Sequence, residues 1–233
     1  MRCIVVVPTY NERENLPLLI EGIQQYAPEA DVLVVDDNSP DGTGEAADAI
    51  ARAQPERIFT LHRSRKEGLG PAYVDGFKFA LARDYELIAH MDADFSHDPK
   101  YLPLFFDKIG TCDLVAGSRY LSGISVVNWD LKRLMLSKAA TAYIRFITSM
   151  PVTDATSGFK LWRRETLARI DLDHLRSNGY VFLAETSYRA FRRGARIGEV
   201  PIVFVERRLG RSKFNLGIIN EAFWGVLRMR LSR

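Results

Sequence analysis

Short β-branched apolar runs recur at residues 4–7, 32–35, 58–61, 87–91 and 114–116, and the stretches between them are long enough to hold a helix. Runs that are apolar on both faces must be covered from both sides, so this βαβα rhythm implies a mostly parallel central sheet flanked by helices. The intervening segments carry the matching periodicity: Leu16, Leu19, Ile20 and Ile23 form one helical stripe, and Tyr73, Gly76, Phe77, Ala80 and Leu81 form another. After Tyr120 the rhythm changes. A helix is expected over about 129–147, a turn at Ser157 and Gly158, a helix around 182–193 and a strand over 200–205. No low-complexity linker or internal repeat separates this half from the first, so the expectation is an α/β fold of one domain.

Composition narrows the functional classes. The 233 residues are 47% hydrophobic and 26% charged, which suits one large globular domain with its own core. The net charge of +3 is spread among interspersed acids, with basic clustering only in the C-terminal third, and this argues against a nucleic-acid partner. Cys3 and Cys112 lie far apart in apolar, strand-like contexts, so two buried free thiols and a reducing compartment are expected rather than a disulfide. Residues 3–7 are too short for a signal-peptide core and run straight into Pro8, so export is not expected. Nowhere do about 18 uncharged apolar residues follow one another, the minimum for a membrane span.

In an open α/β sheet a ligand lies beyond the carboxyl ends of the strands. Polar clusters follow the first four strands in turn: PTYNE, DDNSPDGT, HRSRKEGLG and DADFSHDP. Asp92 and Asp94 alternate at the end of the fourth strand, where i and i+2 side chains point the same way. Two carboxylates aimed at one spot repel unless a positive group lies between them, and a hard divalent ion such as Mg²⁺ or Mn²⁺ suits oxygen ligands. Ser96 is placed to add an oxygen, directly or through water. The rival reading is a solvated acidic turn with Asp98 capping a helix before Pro99. Asp36 and Asp37 close an apolar strand, a costly arrangement unless one of them binds something. Asp41, Gly42 and Thr43 need be no more than a turn and a helix cap. Tyr10 can stack on a flat base and Glu12 can accept a hydrogen bond, although PTYNE alone reads equally well as a turn. A dinucleotide fingerprint fails, because Tyr73 stands where the third glycine after Gly68 and Gly70 belongs.

Taken in order, MRCIVVVPTYNERENL, VVDDNSPDGT, RKEGLGPAYVDG, MDADFSHDP, GSRY, WDLKR with Ser137, TSGF, GYVF with Glu185, and GEVPIVFVERRLGRSK resemble the motif series of the dolichyl-phosphate (polyprenyl-phosphate) mannose synthases, which are family 2 glycosyltransferases. The resemblance covers about residues 2–214. It implies a GT-A fold, GDP-mannose as donor, a dolichyl or polyprenyl phosphate as acceptor, Mg²⁺ or Mn²⁺ as cofactor, and inversion at the anomeric carbon. Pro8, Tyr10, Glu12, Val35 and Asp37 match the family's nucleotide-binding positions. Asp92, Ala93 and Asp94 match its metal and diphosphate site, and Ser96 matches a metal-contacting position that is Gln in some relatives. Arg119 and Arg133 match acceptor-phosphate contacts with Ser137 beside them, and Arg207 and Lys213 match groups on the donor diphosphate. The implied division is a catalytic domain over 1–214, with a nucleotide-sugar half to about 120 and an acceptor half beyond it, followed by a basic amphipathic helix over 215–233.

The acceptor chemistry can also be argued from the residues. A phosphomonoester has a second pKa of about 6 and needs no general base to become a nucleophile. What it needs is a clamp that overcomes repulsion from the donor diphosphate. Arg133 and Ser137 lie four apart on one helical face and Arg119 follows the fifth strand, so the three can meet on one phosphate. A polyprenyl chain stays in the bilayer, so the protein must reach its surface. The helix with Met135, Ala139, Tyr143 and Phe146 is one candidate. The tail with Phe223, Trp224, Val226, Leu227 and Met229 among Arg228, Arg230 and Arg233 is the other, against the plainer reading that the tail packs on the domain. A peripheral position on the cytoplasmic face and a small membrane-anchoring subunit complete the expectation. The alternative within the class is glucose transfer from UDP-glucose.

Overall fold

The computed structural model describes residues 1–175, 177, 179–206 and 216–231, with side-chain detail in the last stretch confined to 223–230. The first half runs β1 (Cys3–Thr9), α1 (Leu16–Tyr26), β2 (Ala30–Asp36), α2 (Thr43–Ala53), β3 (Ile58–His62), α3 (Leu69–Leu81), β4 (Leu87–His90), α4 (Leu102–Lys108) and β5 (Leu114–Ser118). The second half runs β6 (Val126–Val127), α5 (Leu131–Thr148), β7 (Lys160–Arg163), α6 (Arg164–Ala168), α7 (Gly179–Arg192), β8 (Ile197–Pro201), β9 (Phe204–Val205) and α8 (Leu216–Leu231).

Seven strands form one sheet in the order β3-β2-β1-β4-β7-β5-β8, parallel except for β7, which is antiparallel to both neighbours. The pleat sorts the apolar runs as a two-sided sheet requires. Val5 and Val7 of β1 join Leu16, Leu19, Ile20 and Ile23 of α1 on one face, while Ile4 and Val6 join Tyr73, Phe77 and Ala80 of α3 on the other. A third cluster ties α5, α7 and α8 together through Ile144, Ala184, Tyr188, Val226 and Met229. Both cysteines are free and buried, and burial pushes the Cys3 thiol up to about 12. Chain order reverses between β1 and β4, and the crevice at their carboxyl ends is the expected ligand position in such a sheet.

One expectation needs correction, and one strand was not expected at all. The strand expected over 200–205 is two strands: β8 ends at Pro201, and after Ile202 and Val203 the chain leaves the main sheet to pair β9 with β6. Strand β7 is an element that the sequence pattern did not reveal. Its four residues begin with Lys160 and end with Arg163, so apolar alternation is nearly absent. The strand exists because β4 and β5 hydrogen-bond to it on both sides, and Lys160 is buried there with its ammonium donating to the Leu183 carbonyl. The C-terminal helices differ only at their ends, with α5 starting at Leu131 behind an Asp130 cap and α7 starting at Gly179.

Helix α3 lies close on the sheet because Gly76 has no side chain. A Cβ there would intrude on Val6 and stand 3.2 Å from Val35 Cγ2. Gly76→Ala is therefore expected to cost about 1–3 kcal/mol through overpacking, read as a lower urea midpoint with an unchanged slope.

Candidate active site

The acidic pair lies past the end of β4. That strand stops at His90, and Asp92 and Asp94 follow it, ahead of a Phe95 with φ +58°, so the two acids are not presented by an extended strand. The Asp94 Oδ1 accepts the Ser96 amide at 3.0 Å, and the Asp92 Oδ1 accepts the Tyr73 hydroxyl at 2.9 Å. Both carboxylates bear on Tyr73: burial first, then Asp92 and Asp94, push its phenol well above the ordinary tyrosine value. His97 Nδ1 lies 3.8 Å from Asp92 Oδ2. Burial takes the imidazole down to about 4, so His97 brings no positive charge to the acids near neutral pH. Asp98 does cap the following turn, accepting the Lys100 amide at 3.0 Å. This satisfies the capping half of the rival reading without involving Asp92 or Asp94.

Two features suit a cation here. Ser96 is buried, and its Oγ has no hydrogen-bond partner among the described residues. Gly158 packs against Asp92 and His97 so closely that a Cβ would stand 3.3 Å from Asp92 Oδ2 and 3.2 Å from the His97 ring. Among the described residues no cluster of three or more His, Cys, Asp or Glu forms a self-contained metal cage. An ion here would therefore draw on a hydroxyl, water or a bound phosphate to complete its shell.

The nucleotide-side residues line the β1 and β2 tips. Tyr10 is half-buried, with Lys66 Nζ 3.4 Å from its ring centroid, and the Glu12 carboxylate accepts the Asn15 amide at 2.7 Å. Pro8 pairs with Val35 across the β1–β2 ladder, and the Val35 side chain is wholly buried in the core, not turned to the crevice. Both adjacent acids find partners inside the protein. Asp36 accepts from Thr9 Oγ1 at 3.1 Å and Ser39 Oγ at 2.6 Å, and Asp37 is ion-paired to Arg63. Arg63 is locked in turn by Asp75 at 2.7 Å and Glu67 at 2.8 Å.

The basic residues gather at the β5 tip. Arg119 is 6% exposed and forms a bidentate pair with Asp154 at 2.6 and 2.7 Å, with Thr156 Oγ1 at 2.8 Å. It is thus part of a wall, more tightly held than the open clamp the sequence suggested. Its guanidinium stands 5.3 Å from the Trp129 ring, and that of Arg133 stands 4.3 Å from the same indole. Arg133 is also ion-paired to Glu206. Ser137 Oγ accepts the Tyr120 hydroxyl at 2.8 Å, and Tyr120 lies under Arg119 as well. Arg119, Arg133 and Ser137 therefore do come together, around Trp129 and Tyr120. His97 joins this cluster to the acids, with its ring edge-on to Phe204 at 5.4 Å, the same ring that Arg119 approaches to 5.4 Å. Arg207 and Lys213 lie outside the described residues. Sequence reasoning missed Tyr73, His97, Trp129, Asp154 and Glu206 as participants. His97 and Trp129 stood within motifs already singled out, whereas Asp154 is 35 positions from Arg119 and carried no local signal.

Burial opposes the charge on Asp154, but attraction and hydrogen bonding from Arg119 win and hold its carboxyl below the ordinary range. Stability from a depressed carboxyl is fully present above its unfolded value of about 4 and is lost as pH falls through the folded value. Asp154→Ala leaves the Arg119 charge buried and unpaired, an expected loss of about 3–5 kcal/mol. In acid titrations followed by circular dichroism, its stability should also depend less on pH below about 4 than that of the parent.

Comparison with known proteins gives this geometry a family. Residues 4–171 match the model of glycosyl transferase family 2. The chain is 47% identical over its whole length to the undecaprenyl-phosphate mannosyltransferase of Micrococcus luteus, spanning 95% of that protein. It is 46% identical, again over its whole length, to the polyprenol monophosphomannose synthase of Mycolicibacterium smegmatis, spanning 89% of it. Among solved structures, glucosyl-3-phosphoglycerate synthase from Mycobacterium tuberculosis, in complex with Mn²⁺, UDP and glucosyl-3-phosphoglycerate, superposes with a TM-score of 0.69 at 19% identity. That superposition covers 98% of this chain and 78% of that one. The sheet, its crevice and these matches agree: the chain is a single-domain enzyme of GT-A fold that belongs to glycosyl transferase family 2.

Proposed function

We propose that this protein transfers mannose from GDP-mannose to the phosphate of a dolichyl or polyprenyl monophosphate, with inversion, releasing GDP. The observation that carries the proposal is the pairing of an acidic site suited to a cation with a basic site suited to an anion across His97: the acids at the β4 tip on one side, and Arg119, Arg133 and Ser137 around Trp129 on the other. A transferase acting on a sugar hydroxyl would need a general base; one acting on a phosphomonoester needs the second cluster instead. Relatives at 47% and 46% identity named for mannosyl transfer to polyprenyl phosphates support mannose as the sugar and a polyprenyl phosphate as the acceptor.

On the donor side, Tyr10 offers a ring for the base, Glu12 and Asp37 accept from base or ribose, and Pro8 with the backbone of Val35 shapes the floor. Asp92 and Asp94 would hold Mg²⁺ or Mn²⁺, with the buried Ser96 hydroxyl as a further oxygen and Ala93 between them beside the diphosphate. When bound, the ion neutralises charge that accumulates on the departing diphosphate. Arg207 and Lys213 are assigned to the same diphosphate. On the acceptor side, Arg133 exchanges Glu206 for the incoming phosphate, Ser137 adds a hydroxyl, and Arg119, fixed by Asp154, supplies a charge that cannot swing away. Holding the nucleophile in line with the anomeric carbon then accounts for most of the acceleration.

No helix among the described residues is long and apolar enough to cross a membrane. The surface nevertheless suits contact with a bilayer. Phe146 is 84% exposed on α5, together with Leu131 and Met135. On α8, Val226 and Met229 are buried against the domain while Phe223 and Trp224 remain exposed, so this helix is packed and still presents aromatic residues outward. We assign the protein to the cytoplasmic face of a membrane, with a small membrane subunit as a fitting partner.

The decisive assay offers GDP-mannose or UDP-glucose with Mn²⁺ and a short polyprenyl phosphate. Mannosyl lipid is the expected product, and glucosyl lipid alone would transfer the proposal to the alternative donor. Asp94→Ala is expected to abolish transfer at every Mn²⁺ concentration. Arg133→Ala should raise KM for the lipid phosphate about tenfold or more, the worth of one charged hydrogen bond, while KM for GDP-mannose stays within about twofold. Equal effects on both substrates would remove Arg133 from the acceptor site.

A further inference from the structure

The periodicity of α3 assigns Tyr73 to the core, and its ring is indeed wholly buried. A phenylalanine would satisfy that role. The hydroxyl, however, is aimed out of the core at one of the two acids, donating to Asp92 Oδ1 at 2.9 Å. The ring beneath it is fixed from three directions. Phe77 stacks at 5.8 Å, Phe182 of α7 lies parallel at 6.1 Å, and the edge of His90 meets it at 4.5 Å. Two glycines set the height of the helix that carries it. Gly76 lets α3 settle on Val6, and Gly70 lets Phe182 approach so closely that a Cβ would stand 3.1 Å from its ring.

The acid that receives this hydrogen bond is the looser of the two. Asp94 is buried, whereas the Asp92 side chain is 29% exposed and could turn about its own bonds. With Oδ1 on Tyr73, Oδ2 is directed to the space bounded by His97 and Gly158.

We infer that Tyr73 is a positioning residue: its hydroxyl fixes the Asp92 carboxylate in the orientation that receives the divalent cation. The inference rests on the reading that Asp92 is a metal ligand. Donors behind a ligand generally hold its orientation, and their loss weakens metal binding by about 10–100-fold.

The test uses the full-length chain with GDP present and follows free Mn²⁺ by electron paramagnetic resonance, so it does not depend on turnover. Tyr73→Phe keeps the stacked ring and should lower the melting temperature without metal by only about 2–4 °C, while raising the Mn²⁺ dissociation constant about tenfold or more. KM for polyprenyl phosphate should not move. Placing para-aminophenylalanine at position 73 restores a donor of the same shape and should restore Mn²⁺ affinity, an outcome that a purely packing role does not produce. Asp92→Asn is measured alongside. If it loses Mn²⁺ while Tyr73→Phe binds the ion as the parent does, the positioning role is wrong and the metal reading survives. If neither substitution alters Mn²⁺ binding, the metal reading itself falls. Should Tyr73→Phe melt below the assay temperature, the para-aminophenylalanine variant decides, and its failure to bind Mn²⁺ normally overturns the inference.

Discussion

The antiparallel strand β7 is the constraint on which the site depends. It inserts between β4 and β5, so the tip bearing Asp92 and Asp94 and the tip bearing Arg119 are two strand spacings apart, roughly 10 Å. A purely parallel insertion would bring its preceding loop to the opposite edge of the sheet. Because β7 runs the other way, the residues leading into it arrive at the same edge as the tips they must serve. Asp154 and Thr156 reach Arg119, and Gly158 reaches Asp92 and His97. One reversal of strand direction thus supplies both the spacing and the fittings of the acidic and the basic site.

Charge is arranged differently on either side of that spacing. At the β4 tip, two carboxylates share a loop with a neutral His97, and the buried Ser96 hydroxyl and Gly158 shape the space beside them. Such a place favours a cation and anything anionic that the cation brings with it. At the β5 tip, Arg119 is held so firmly by Asp154 that it acts as a fixed positive wall, while Arg133 rests on an exchangeable partner, Glu206. A rigid and an adjustable arginine on one tryptophan can receive a phosphate without reorganising the core, because only the adjustable one must change partners. This division of labour suits a reaction in which two anions have to be held against their mutual repulsion.

The two halves of the molecule meet through the sheet, where β7 and β8 pair with β4 and β5, and also through side chains above it. Phe182 of α7 stacks on Tyr73 of α3, and Phe204 of β9 receives both His97 and Arg119. The short ribbon of β6 and β9 matters for the same reason: it carries Glu206 to Arg133 and sets Phe204 beside Trp129 at 5.4 Å. Family 2 membership accounts for the sheet and the acids. The aromatic seam is what makes the arginine cluster continuous with them.

The strands of the first half, their parallel pairing, both helical stripes and the position of the acidic pair beyond β4 were written in the sequence, because alternation, period and polar punctuation are local properties that each segment carries alone. So were Arg133 and Ser137 as one helical face, since a four-residue spacing needs no tertiary information. Motif order also carried the family, because a series of short blocks keeps its meaning without coordinates. What only the tertiary structure decided involves partners distant in the chain. Strand β7 is held by ladders on both sides and not by its own pattern, Arg119 meets Asp154 across 35 positions, and Tyr73 meets Asp92 across 19. The Asp36 and Asp37 pair shows the same limit: the sequence shows the cost of burying them, while the hydroxyls and arginine that meet it come from other strands and loops. Local chemistry fixes what a segment can become, and the partner a buried polar group finds is set only when the chain closes on itself.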